Sequence, residues 1–126
     1  KDNFLGIKRL TLRELLRWSD IITIHVSTKE EILCEDELKL MKKGSWLLNL
    51  SRGEVVNDDV LYEFLKNGRL AGAALDVFED EPYGGPLRKL DNVILTPHIG
   101  SYAREARIKM EMQAIENLLK GLKEEK

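Results

Sequence analysis

The run Ser45-Trp46-Leu47-Leu48-Asn49-Leu50 sets the architecture of the chain. Gly44 precedes it and Ser51-Arg52-Gly53 follow it, so the run is a short element between breaks. It is apolar at nearly every position rather than at alternate ones. That is the pattern of a strand buried on both faces, as in a parallel sheet. Three further runs share the character: Ile21-Ile22-Thr23-Ile24-His25-Val26, Ala71-Gly72-Ala73-Ala74-Leu75 and Asn92-Val93-Ile94-Leu95-Thr96.

The stretches between these runs read as helices. One covers Thr11 to Ser19, with Thr11 and Glu14 in capping-box spacing and an apolar stripe of Leu12, Leu15 and Leu16. A second covers Glu35 to Lys43 and is ended by Gly44. A third opens on Asn57, Asp58 and Asp59, with carboxylates at the positive end of its dipole, and closes at Asn67-Gly68. A long last helix is capped by Ser101, with the stripe Ile108, Met112, Ile115, Leu119 and Leu122. The order α-β-α-β-α-β-β-α predicts an α/β fold, a parallel sheet with helices on its faces. The loop joining the last two strands has the length of a crossover, so that pair also reads as parallel.

Composition narrows the function. The chain has 126 residues, 20 Lys+Arg and 22 Asp+Glu, and so a net charge of −2; hydrophobic residues make up 43% and charged ones 33%. Such a chain is too apolar and too balanced for disorder. There is no basic block for nucleic acid and no apolar run long enough for a membrane span. The single cysteine, Cys34, excludes a disulfide framework and a cysteine-rich metal site, and a reducing cytoplasmic compartment is the default. Length predicts one domain.

Ligands of open α/β sheets bind beyond the carboxyl ends of the strands. The groups that follow the four strands are therefore the candidates. They are His25; Ser51-Arg52-Gly53; Asp76 and, further on, Glu81; and Pro97-His98-Ile99-Gly100. Alone, each has a plainer explanation. Arg52 reads as a solvated arginine, Glu81 as part of an acidic loop, His98 as a satisfied loop histidine, His25 as a strand end and Asp76 as a turn cap. Together they fall on the one edge where this architecture binds ligands. A carboxylate beside a histidine stabilises the imidazolium, and the pair can move a proton near neutral pH. An arginine fork holds a carboxylate bidentately. The trio suits proton transfer to a carbonyl held by its neighbouring acid group. Metal hydrolysis lacks ligands, and Ser51 and Ser101 lack a nucleophile elbow.

The chain resembles the nicotinamide-binding domain of the D-isomer-specific 2-hydroxyacid dehydrogenases. The stretches that carry the likeness are Leu48-Asn49-Leu50-Ser51-Arg52-Gly53, the run from Leu70 to Pro82, and Asn92 to Gly100, with Ser19 to His25 in support. The resemblance implies a Rossmann-like doubly wound sheet and a hydride carried by NAD, with NADP as the alternative. Arg52 would bind the carboxylate of a 2-hydroxy or 2-keto acid. His98 would be the general acid/base, and Glu81 would hold and charge it. Asp76 would orient the nicotinamide carboxamide, with Gly100 near the ring. Ser51 would line the cofactor, and His25, Val26 and Ser27 would lie by the adenosine ribose. No metal is implied.

Departures from the family pattern accompany the likeness. Ser27 stands where the family usually has proline, and Ser101-Tyr102 follow Gly100 where a second glycine is common. No two of the nine glycines are separated by a single residue, so the Gly-x-Gly-x-x-Gly phosphate turn and the first βαβ unit are not in this sequence. Residues 1–126 then read as the C-terminal part of a nucleotide-binding domain, without the substrate domain and inactive alone. Two apolar surfaces would be left open, the Ile21–Ile24 strand edge and the final helix, which predicts a homo-oligomer, in the form of a dimer. A non-enzymatic use of the same fold, as a corepressor-like or scaffold module, is the other function this sequence allows.

Overall fold

The computed structural model describes residues 3–4 and 6–124. The larger sheet contains β3 (Ile21–Ile24), β4 (Trp46–Asn49), β5 (Gly72–Leu75) and β6 (Val93–Leu95), in that order and all parallel. Register sets Ile24 beside Asn49 and Asn49 beside Leu75, so the strand exits line up along one edge. The pairing of β5 with β6 is parallel, as expected from the connecting loop. A two-stranded antiparallel hairpin, β1 (Asn3–Phe4) with β2 (Ile7–Lys8), was not anticipated. Strands of two residues are too short to show a period; Gly6, with φ of +78°, marks the turn.

Helices α1 (Leu12–Trp18), α2 (Glu35–Leu40) and α3 (Asp58–Lys66) form as their end signals dictate. The capping box is complete: Glu14 N–H donates to Thr11 Oγ1 at 3.3 Å and Thr11 N–H to Glu14 Oε2 at 2.9 Å. At α3, Val60 N–H donates to Asn57 Oδ1 at 3.1 Å. Two boundaries differ from expectation. Helix α2 stops at Leu40, because Met41 already has extended dihedrals, and Gly44 serves a later turn with φ of +81°. Helix α4 (Arg104–Glu124) begins three residues beyond Ser101, which lies in a turn and does not cap it.

Leu16, Leu38, Leu61 and Leu65 from the helices join Ile22, Ile24, Leu47, Ala73 and Leu75 from the sheet in one buried cluster. The expectation of strands buried on both faces holds for one face only. On the other, Ile21 is 64% exposed, Trp46 46% and Ile94 66%. No described helix covers that face. Helix α4, whose residues 104–123 are all exposed, packs its stripe on nothing described. None of the described helices is long and apolar enough to cross a membrane.

Candidate active site

The site is built at the exits of β4, β5 and β6. Where β4 ends, Asn49 is 1% exposed and turns its amide forward along the chain. Its Nδ2 donates to the Arg52 carbonyl at 2.8 Å, and its Oδ1 accepts from Ser51 N–H and Oγ, each at 3.2 Å. The Arg52 guanidinium is exposed, with Nη1 donating to the Ser51 carbonyl at 2.7 Å. Gly53 then packs directly on the next exit loop. A Cβ there would lie 1.9 Å from the Phe78 carbonyl carbon, so only glycine fits.

At the β5 exit, Asp76 is 5% exposed and accepts three hydrogen bonds. Its Oδ1 accepts from Thr96 Oγ1 and from Ile99 N–H at 2.9 Å, and its Oδ2 from Gly100 N–H at 2.8 Å. Burial pushes this carboxyl up, but the bonds from Thr96, Ile99 and Gly100 outweigh it and hold the group below its usual range. Five residues on, Glu81 Oε1 accepts from Phe78 N–H at 3.1 Å. Its Oε2 lies 3.0 Å from His98 Nδ1. The His98 contact, and after it the Phe78 N–H, keep the Glu81 carboxyl below the ordinary carboxylate range. His98 itself has φ of +52°, a left-handed backbone that a side-chain-bearing residue adopts only where neighbours enforce it.

Arg52, Glu81 and His98 line a single cleft of about 230 Å³. Three residues come together as the sequence predicted. Gly53, a candidate beside Arg52, shares the cleft, as do Lys29, Glu54 and Glu79, which were not foreseen. Lys29 Nζ stands 3.4 Å from Glu54 Oε1, so one cation and one anion of the wall neutralise each other. Asn49 was missed too, although an amide inside an apolar strand is a readable signal. Of the loop leaving β3, Lys29 lines the cleft but His25, Val26 and Ser27 do not. His25 Nε2 contacts Thr23 Oγ1 at 2.9 Å, and Val26 and Ser27 are exposed beside it. Ser51 and Gly100 spend their polar groups within the protein. At Cys34, Glu31, first by hydrogen bonding, and then burial push the thiol up to about 11, which disfavours the nucleophilic thiolate. A larger cavity of about 640 Å³ lies behind Glu81, walled by apolar groups such as Phe78, Tyr83, Leu87 and Leu95. No cluster of three or more His, Cys, Asp or Glu among the described residues could hold a metal ion.

The carboxyl edge suits the nicotinamide end of a dinucleotide. Val26, Leu50 and Ile99 leave apolar surface open there for a flat ring. Asp76 accepts three hydrogen bonds of about four that a carboxylate can take, which leaves room for one amide donor. A glycine-rich pyrophosphate turn is not part of the sequence.

The family model described as "D-isomer specific 2-hydroxyacid dehydrogenase, NAD binding domain" matches residues 1–100. The chain belongs to this family. The match to the dehydrogenase domain ends at Gly100, just before α4, where the packed core also ends. Among the relatives, a glyoxylate reductase of Aeropyrum pernix is 46% identical over 120 residues, which are 91% of this chain and 36% of that protein. A D-3-phosphoglycerate dehydrogenase of Archaeoglobus fulgidus is 44% identical over 126 residues, 94% of this chain and 24% of that one. The chain thus spans about a third or less of the curated relatives it matches. The solved acyclic imino acid reductase Bsp5, in complex with NADPH and D-Arg, superposes with a TM-score of 0.90 at 38% identity, covering 98% of this chain and 41% of that one. These likenesses assign the four-stranded sheet to the Rossmann-like dehydrogenase fold.

Proposed function

We propose that the cleft is the proton-transfer and carboxylate-binding part of an oxidoreductase that interconverts D-2-hydroxy acids and 2-keto acids with NAD(H). The observation that carries this reading is the 3.0 Å contact of Glu81 with His98 Nδ1 in the same cleft as Arg52. With Nδ1 engaged by Glu81, Nε2 is the free nitrogen of His98 and takes the substrate hydroxyl proton, or returns it to the carbonyl in reduction. The Arg52 fork binds the substrate carboxylate and draws electron density from the adjacent carbonyl. The nicotinamide, when bound, would accept the hydride from the hydroxy acid's C2 in oxidation and return it to the keto acid in reduction. Asp76 and Gly100 would lie at its carboxamide end, and Ser51, Val26, Ser27 and His25 along the strand exits toward the ribose. Substrates are small acids, in keeping with a cleft of about 230 Å³.

On this reading the 126-residue chain by itself turns over keto acid slowly or not at all, since it carries no pyrophosphate turn. Titration of the chain with NADH, and in parallel with NADPH, followed by NMR of the His98 and Gly100 resonances, tests the cofactor half. Saturable, localised shifts are expected for NADH. Shifts scattered away from the β5 and β6 exits overturn the assignment. Turnover of 2-keto acid is then assayed in a longer protein containing this segment, where His98→Gln is expected to abolish it.

The bare sheet face and the α4 stripe support a homo-oligomer, with a symmetric dimer as its simplest form. Sedimentation at two concentrations tests this; a monomer at both overturns it.

A further inference from the structure

We propose that Asn49 is the positioning residue of the carboxylate-binding arginine, acting through the backbone of the Ser51-Arg52 turn. The proposal rests on the reading of Arg52 given above. Asn49 is the only polar side chain of β4 and is almost wholly enclosed, at 1% exposure. An enclosed amide is tolerated when all its groups are bonded. Here every bond goes to one place. Nδ2 holds the Arg52 carbonyl at 2.8 Å, while Oδ1 takes both the N–H and the hydroxyl of Ser51. The turn is gripped before and after the Cα of Ser51, from inside the sheet.

The far side of the turn is equally constrained. Gly53 rests on the Phe78–Glu79 peptide with no space for a Cβ. That peptide belongs to the loop whose Phe78 N–H holds Glu81. Arg52 therefore sits between an amide clasp and a backbone wall. Its distance from the Glu81–His98 pair is set by main chain on both sides, and its exposed guanidinium inherits that placement. Asn49 touches no cleft surface, so its influence on an anion in the cleft passes through Arg52 alone.

The test is a double-mutant cycle on the 126-residue chain, with oxalate as a planar two-carboxylate probe of the keto-acid site. Shifts of the Gly53 and His98 backbone amide resonances report binding in every variant, the Arg52 Nε–Hε resonance reports on the guanidinium where the arginine is kept, and thermal melting checks that each variant is folded. Asn49→Asp keeps the shape but turns the donor facing the Arg52 carbonyl into an acceptor. Asn49→Ser removes the clasp without adding charge and serves if the aspartate variant does not fold. Either is expected to weaken oxalate by at least about tenfold, and to add less than about twofold in an Arg52→Lys background, because coupled residues are not additive. Unchanged affinity in the single variants overturns the proposal, and so does full additivity with Arg52→Lys. Failure of oxalate to bind the unaltered chain instead overturns the reading of Arg52. The Nε–Hε line then decides the positioning role directly: it moves and broadens in Asn49→Ser if the clasp sets the guanidinium, and a line that stays put overturns the proposal.

Discussion

Asp76 holds the backbone around His98 without bonding to its ring: the carboxylate accepts from Thr96 two residues before it and from Ile99 and Gly100 just after it. His98, with its left-handed dihedral, lies inside that grip, and its own N–H donates to the Thr96 carbonyl at 3.0 Å. Removing the grip should release the loop. Asp76→Asn places an amide donor against the N–H of either Ile99 or Gly100, and is expected to cost about 2–3 kcal/mol in denaturant unfolding, the scale of hydrogen bonds to a buried charge. In the same variant the His98 imidazole resonances should lose their dispersion.

Acid should undo the site before it undoes the core. Asp76 and Glu81 are both held below the ordinary carboxylate range, so in the folded state they bind fewer protons than the unfolded chain does. Their contribution is whole at neutral pH and is lost as pH falls through their lowered folded values. The melting temperature is expected to decline below about pH 4, and less steeply in Asp76→Asn.

Asp58 has the opposite sign. Burial first, then Glu79 and Asp59, push its carboxyl up to about 6. The folded state keeps its proton longer than the unfolded chain, so stability is lost as pH rises from about 4 to 6. Relative to the parent, Asp58→Asn is expected to gain on the order of 1 kcal/mol between pH 4 and pH 7 once solvent screening of this half-buried group is allowed for, and nothing at pH 3. Melting curves at the three pH values check it.

Two glycines of the site should differ in tolerance. At Gly53 a methyl group would fall within 1.9 to 2.3 Å of backbone atoms of Phe78 and Glu79, which cannot yield without moving the Glu81 loop. At Gly100 the nearest atom is Asp76 Oδ2 at 2.9 Å, a side-chain oxygen that can shift by a few tenths of an ångström while keeping its hydrogen bonds. Gly53→Ala is expected to lose about 3 kcal/mol and Gly100→Ala about 1 kcal/mol, measured by urea unfolding.

The sheet, its parallel order and the Arg52–Glu81–His98 trio were legible because each depends on short-range signals. Apolar runs of four to six residues, Gly68 after α3, and motifs placed directly after strands all survive in one dimension. What escaped depends on contacts across long separations. Lys29 reaches the cleft by pairing with Glu54, and the tightness at Gly53 comes from Phe78. The open sheet face escaped for a different reason. Ile21, Trp46 and Ile94 look like core residues in the sequence, and hydropathy records what a residue prefers rather than what lies over it.

Trp46 lies across Gly72 so closely that a Cβ on the glycine would enter its ring, while the outer surface of the indole stays open to water. The indole is therefore a built-in optical gauge of that face. Whatever comes to rest there, whether another copy of the chain or another stretch of protein, must dry the ring and shift its emission to the blue. Trp18, also exposed, is in α1 and outside the sheet, and would keep the colour of water.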